Sequence, residues 1–448
     1  MEFVLLSLLS LGLSFGLAYN VSGSLSPTKL NLVTWTFYFS IIAQTFIASV
    51  VVVNGWEDHY RISNQLTSDS SRLYGWLSVQ WLLFSLPLGM YASTLLFGYK
   101  SNRRLYDFYL AKRVEFFSTR RESFIRLGLY FLSTVCFITV IYVFYKIGSF
   151  PQVRLFSISG VLASELRESV GRGFEGNNIL RNTFGLTLTP ILSYVWYAYY
   201  KSKPDLKNRI LFLVFLFLSI VILTYNLAKA PVVFYLLGFV FLNVYINGRV
   251  SKKFLVTFFV LAISLLVTFY YLLFDYFSFS HLFSFNKGIG GRVFLSQSMG
   301  LFFSFDIFPM KYNFIGFDSF SSEGIKALFA DGSSERSARI VTRVIDPQGV
   351  EQGTAGVTNS IFLGEAWANF GFLGVLLSPF VVGFYIQSIF MFFLTSKKTP
   401  IYLGIFSYLS YRLPVVGGFN DFIYNPIHIF IIIIFLILNL ISTRNKSE

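Results

Sequence analysis

Four arginines and one glutamate carry most of the chemistry open to this chain. Arg292, Arg336, Arg339 and Arg343 lie in one mostly polar segment, about residues 278–359, set between long apolar runs, and Glu365 follows just beyond it. A guanidinium stays charged at physiological pH and grips phosphate through two parallel hydrogen bonds. Arg336, Arg339 and Arg343 have i, i+3, i+7 spacing, so a helix over 334–345 would set them on one face that can hold a pyrophosphate. The competing reading is a solvated face paired with Asp331, Glu335 and Asp346. Arg292 closes the run Lys287-Gly-Ile-Gly-Gly-Arg292, whose glycines let backbone N–H groups approach an anion or simply turn the chain before a helix. Glu365, at the edge of an apolar run, must face protein, water or a cation. It reads either as a proton acceptor for a hydroxyl or as the ion-pair partner of an arginine.

Further substrate-binding candidates are Arg172, in an amphipathic stretch from Phe150 to Asn178, and Lys229, between two apolar runs at Asn226-Leu-Ala-Lys229-Ala-Pro231. Asn359 joins them. Asn420 and Asp421, in a glycine-rich turn, can bond sugar hydroxyls or cap the following helix. Cys136 is the one cysteine, which leaves no intrachain disulfide and no thiolate cluster. The histidines, His59, His281 and His428, show no metal-ligand spacing. With no Ser-His-Asp motif and no nucleotide loop either, no cofactor and no metal are expected.

Something must position these residues, and composition says it is a membrane bundle. Of 448 residues, 54% are hydrophobic and 13% charged, and mean hydropathy is +0.62. A soluble domain carries about a quarter charged residues. Apolar runs long enough to cross a bilayer as helices predict an all-α polytopic bundle of about eleven spans. They lie near 3–19, 30–53, 73–97, 125–147, 179–200, 209–226, 231–246, 254–276, 361–394, 401–417 and 426–442. The organisation is then an N-terminal bundle (1–276), one large loop (277–360) and C-terminal helices (361–448). The 361–394 run is too long for one straight crossing, and Pro379, Gly371, Gly374 and Gly383 allow a lead-in helix. Val293–Phe308 predicts a short surface or re-entrant helix inside the loop.

Lys and Arg alternate with the spans. Loop 98–124 is strongly basic, as are 201–209, 249–253, 397–398 and 444–446, whereas 277–359 balances seven basic against seven acidic residues. By the positive-inside rule the large loop and the N-terminus face outward and the C-terminus inward. The net charge of +14 is then a topology signal rather than a mark of nucleic-acid binding.

The run Thr358-Asn359-Ser360-Ile-Phe-Leu-Gly364-Glu365-Ala-Trp-Ala-Asn369-Phe370-Gly371-Phe-Leu-Gly374 resembles the C-terminal signature of Wzy-type O-antigen and oligosaccharide-repeat-unit polymerases. Gly291-Arg292-Val-Phe-Leu-Ser-Gln-Ser-Met-Gly300, leading to Phe308-Pro309, is similar to the same family. The resemblance implies a bundle of GT-C type in a bacterial inner membrane. It also implies a glycosyltransferase of O-antigen, lipopolysaccharide or capsule biosynthesis that joins undecaprenyl-pyrophosphate-linked oligosaccharides at the outer face. Membrane lipids, a chain-length regulator and a flippase are the implied partners. Where related O-antigen ligases carry His before Asn, this chain has Thr358. No outer-loop arginine has the glycine that some polymerases place after ten intervening residues. On this reading Arg292 and Arg339 steady the leaving pyrophosphate, Glu365 deprotonates or orients the acceptor hydroxyl, and Arg336, Arg343, Arg172, Lys229 and Asn359 bind substrate. Transfer is metal-independent and inverting. The alternatives are a lipid-linked oligosaccharide flippase or other transporter, an O-antigen ligase, and a non-enzymatic scaffold.

Overall fold

The structure is a computed structural model that describes residues 2–66, 68–154, 170, 174–228, 230–273, 284–286, 288–320, 335–352, 355–413, 417–425, 429–430 and 432–433. Arg172 and Lys229 fall outside the described residues, as do most of the Phe150–Asn178 stretch and most of the 426–442 run. Among the described residues the chain is all-helical.

Among the described residues, the chain up to 273 supplies to the bundle α1 Glu2–Ser22, α2 Leu32–Val53, α3 Tyr60–Gln65, α4 Asp69–Leu96, α5 Arg103–Ala111, α6 Thr119–Ile147, α7 Leu180–Leu188 running on into Thr189–Ser202, α8 Leu206–Leu223, α9 Ala230–Asn247 and α10 Lys252–Leu273. The large loop contributes α11 Ile289–Phe294, α12 Met299–Ile307, α13 Ser337–Ile345 and α14 Pro347–Glu351. Then follow α15 Phe362–Thr395, α16 Pro400–Arg412 and α17 Asn420–Ile423. Seven helices among the described residues, α1, α2, α4, α6, α8, α9 and α15, are long and apolar enough to cross a membrane.

In α1 and α6, small and weakly polar residues are among those buried, while large apolar side chains face outward. In α1 the buried residues are Ser7, Ser14, Ala18, Val21 and Ser22, while Leu8, Leu9 and Leu13 are exposed. In α6, Ser133, Cys136 and Thr139 are buried, and Phe131, Ile138 and Ile141 are exposed. Small and weakly polar residues make such interfaces because lipid is as apolar as leucine, so close backbone approach and interhelical hydrogen bonds supply the association. Ser14 Oγ donates to Leu83 O at 2.7 Å, and Trp76 Nε1 donates to Ser7 Oγ at 2.8 Å.

The connecting loops collect at two ends. At one end Val250 N donates to Thr28 O at 3.0 Å, Lys29 pairs with Asp107 at 2.7 Å, and Glu115 N donates to Lys398 O at 2.8 Å. At the other end Arg61 pairs with Asp346 at 2.6 Å, and Ser284 Oγ donates to Asp58 at 3.1 Å. The first is the basic end, and the second carries the large loop. The loops that meet at the first end include three of the basic ones, 98–124, 249–253 and 397–398.

The large loop forms a lobe with its own core. Leu295, Met299, Phe302, Phe303, Ile340 and Val341 pack against Ala48 and Val52 of α2 and Ile62 of α3. The expected helix over Val293–Phe308 divides into α11 and α12, and α12 is not a surface helix. All its residues but Asp306 are buried, and Asp306 pairs with Lys311 at 3.1 Å. Gly300 and Gly364 permit this depth: a Cβ on Gly300 would stand 2.7 Å from Asn359 O, and one on Gly364 would stand 3.1 Å from Ser304 Oγ of α12.

The lead-in helix is present. α15 spans 34 residues but breaks at Gly371, whose φ of 56° and ψ of −137° are open essentially to glycine alone. The segment before the break carries Glu365 and Asn369, and the segment after it lies along α4.

Candidate functional site

Arg336, Arg339 and Arg343 do not share a face. Arg336 is the residue before α13, with extended backbone (φ −62°, ψ 144°), and the helix proper starts at Ser337. One residue outside the helix is enough to turn its side chain inward. α13 buries Ile340, Val341 and Ile345, and it exposes Arg339 and Arg343 one turn apart. Arg343 pairs with Glu335. Asp346, expected to partner these arginines in the solvated-face reading, pairs instead with Arg61 of α3.

Arg336 meets Glu365 as a fork on a carboxylate. Its Nε donates to Oε1 at 2.8 Å and its Nη2 to Oε2 at 2.9 Å. The same guanidinium reaches Asp421 of α17, Nη1 to Oδ1 at 3.0 Å and Nη2 to Oδ2 at 3.4 Å. Burial alone would lower the Arg336 pKa, but the hydrogen bonds and charges of Glu365 and then Asp421 more than offset it, and the pKa is raised. One cation between two carboxylates leaves the cluster with a formal charge of −1, so Arg336 is not available to a second anion.

Glu365 is 2% exposed, and its Oε2 also accepts from Asn420 N at 2.9 Å. Of the two readings drawn from sequence, this arrangement is that of the ion-pair partner: three donors occupy the carboxylate. Asp421 is the open member of the cluster, its side chain 39% exposed, with Gly418 N donating to Oδ2 at 3.3 Å. Asn420 is neither sugar-facing nor a side-chain cap. Its Nδ2 donates to Ser319 O at 3.0 Å and Ser319 Oγ at 2.8 Å, and its Oδ1 accepts from Asn369 at 3.1 Å. Lobe, lead-in helix and α17 therefore meet in one polar knot. Sequence reasoning missed that Asp421 and Asn420 belong to it, because nothing local in a chain marks partners that lie 85 and 55 residues away.

Gly418 covers the knot, and a Cβ there would collide with Arg336 Nη2 and Glu365 Oε2. A Gly418→Ala variant is expected to lose about 1–3 kcal/mol, the usual cost of overpacking, and its thermal unfolding in detergent should shift down accordingly.

Arg292 is exposed on α11. Asn359 is exposed as well, and its Nδ2 donates to Gln297 at 2.9 Å. It lies on the rim of a surface cavity of about 360 Å³, whose other walls include His59, Tyr60, Arg61, Asp346 and Thr358. The His59 and Tyr60 rings stack at 5.4 Å, and Arg61 sits 5.4 Å over the Tyr60 ring. Burial, then the charge of Arg61, lowers the His59 pKa, and its Nδ1 is buried without a hydrogen-bond partner. The exposed Tyr60, the Asn359 amide and the Arg61–Asp346 pair line a cavity with room for a small polar ligand.

No family model, characterised protein or solved structure matches the chain.

Proposed function

We propose that this protein is a polymerase of polyprenyl-pyrophosphate-linked oligosaccharide units of the Wzy type, with about eleven spans, a GT-C-like bundle and its lobe on the outer face of a bacterial inner membrane. The observation that carries the reading is the lobe end itself. The segment that carries the resemblance, Thr358 to Gly374, forms the joint between lobe and bundle, beside both a cavity with room for a saccharide and the exposed arginines of α13. A lipid pyrophosphate lies at the boundary between apolar helices and polar loops, and a joint between lobe and bundle is suited to meet it there.

In the proposed reaction the acceptor hydroxyl oxygen attacks the anomeric carbon, and the bond from that carbon to the pyrophosphate oxygen breaks. The polyprenyl pyrophosphate leaves with the bonding pair, and the acceptor hydroxyl passes its proton to the Asp421 carboxylate. Pyrophosphate already departs well, so the protein's task is to steady charge and to aim the hydroxyl. Arg339, Arg343 and Arg292 are exposed and suited to the first task. The second passes from Glu365 to Asp421, the open carboxylate of the knot, while Arg336 and Glu365 hold it in place. The His59–Tyr60–Asn359 cavity receives the acceptor sugar.

The test is purified protein in liposomes with lipid-linked repeat units. A ladder of lengthened glycan with release of lipid pyrophosphate is the expected result, and translocation without lengthening would make the protein a flippase. An Arg339→Ala/Arg343→Ala double variant is expected to fold normally and to lose on the order of a hundredfold in polymer formation, comparable to losing a charge-stabilising donor. Full-length polymer at the normal rate would remove both arginines from the mechanism.

A further inference from the structure

The basic end holds a second site, independent of the polymerase reading. A surface cavity of about 410 Å³ opens there between α5, the end of α9 and the turn after α1. Four cations line it, Lys29, Lys112, Arg113 and Arg249, against one carboxylate, Asp107. Lys29 is engaged by Asp107 at 2.7 Å and Lys112 by Glu115 at 3.1 Å. Arg113 and Arg249 are exposed and have no carboxylate partner among the described residues.

A cavity at a helix C-terminus should repel anions, because the last carbonyls point into it. α5 ends here, but its carbonyl end is already countered. The buried Lys398 sends its ammonium to Tyr109 O at 3.1 Å, Leu110 O at 3.3 Å and Lys112 O at 2.6 Å. A fifth cation thus underlies the four that line the cavity. Three such bonds need all three ammonium protons, so the bonding pattern is that of the charged form.

The surroundings are apolar and exposed. Phe108, next to Asp107 on α5, is 68% exposed, and just past Arg249 the helix α10 exposes Phe254 and Val256. Cations in a concavity with bare hydrocarbon beside it match a molecule that has a phosphate at one end and acyl chains at the other. We propose that this cavity binds the phosphate of an anionic membrane lipid, with Arg113 and Arg249 as the guanidinium grips and the acyl chains lying along Phe108 and α10.

The test is delipidated full-length protein in detergent, titrated with phosphatidylglycerol or phosphatidylcholine and read by native mass spectrometry. Phosphatidylglycerol is expected to bind on the order of tenfold more tightly, and an Arg113→Gln/Arg249→Gln variant to lose that preference. The control, Lys207→Gln/Arg209→Gln, removes the same charge from α8 outside the cavity, and it should keep the preference. Both variants change exposed residues, and equal thermal unfolding would confirm that they fold alike. Equal binding of the two lipids, or the same loss in the control, would overturn the site. Displacement of the lipid by millimolar inorganic phosphate would make the free ion the occupant and overturn the lipid assignment.

Discussion

Replacing Glu365 with Gln is expected to lower the stability of the detergent-solubilised protein by about 3 kcal/mol or more, the cost of removing one partner from a buried ion pair. The guanidinium of Arg336 would then face an amide in place of a carboxylate, and one of the two donor pairs at 2.8 and 2.9 Å would meet a donor. Asp421→Asn should cost about 1 kcal/mol or less, because that carboxylate is 39% exposed and water can replace it. Arg336→Lys should restore little, since an ammonium cannot span both oxygens of Glu365 in one plane. The check is a double-mutant cycle on thermal or denaturant unfolding. Arg336→Gln and Glu365→Gln should each be strongly destabilising, and their combination should cost well under the sum. Additive losses would mean that the two side chains do not act as a pair. Activity adds a second readout. If Glu365 only holds the knot, Glu365→Gln below its melting temperature should keep more activity than Asp421→Asn despite being less stable. The reverse order would return the base role to Glu365.

Much of the bundle is legible in the sequence because hydropathy and length are local properties. The run at 73–97 becomes α4, 125–147 becomes α6, and 361–394 becomes a helix broken at the glycine that permits the break. The site is less legible, for three separate physical reasons. Periodicity alone groups Arg336 with Arg339 and Arg343, but a helix that begins at Ser337 rather than 334 sends it to the other side. Periodicity cannot fix a boundary to one residue. The patch Val293–Phe308, interrupted by Gln297, Gly300 and Asp306, reads as a short surface or re-entrant helix, yet Lys311 pairs with Asp306 and the rest of α12 sinks into the lobe. The third is the His59–Asn359 cavity. His59 has no motif around it, and it becomes a candidate only when α3 is brought against the lobe by Arg61 and Asp346, which are 285 residues apart.

The other large effect belongs to the joint between α4 and α15, which fixes where the lead-in helix sits. Gly89 of α4 faces the Phe380 carbonyl, and Gly383 of α15 faces the Leu86 carbonyl, each so close that a Cβ would overlap the backbone opposite. The two glycines are reciprocal, so the helices touch backbone to backbone, and side chains tie them above and below. Trp81 Nε1 donates to Leu376 O at 3.0 Å, the Ser93 and Ser388 hydroxyls lie 2.9 Å apart, and Gln387 Nε2 donates to Thr94 Oγ1 at 3.1 Å. Gly383→Val must push the helices apart and strain all three bonds. It is expected to cost about 3 kcal/mol or more, seen as loss of monodisperse protein on size exclusion. Gly128→Ala in α6 is the control, because a Cβ there meets nothing within 4 Å. It should be neutral or slightly stabilising, since alanine is the better helix former. A side chain added to a glycine thus gives opposite results according to whether a backbone lies opposite. If Gly383→Val accumulates and melts like the parent, α4 and α15 do not make this close crossing, and the placement of Glu365 above it loses its foundation.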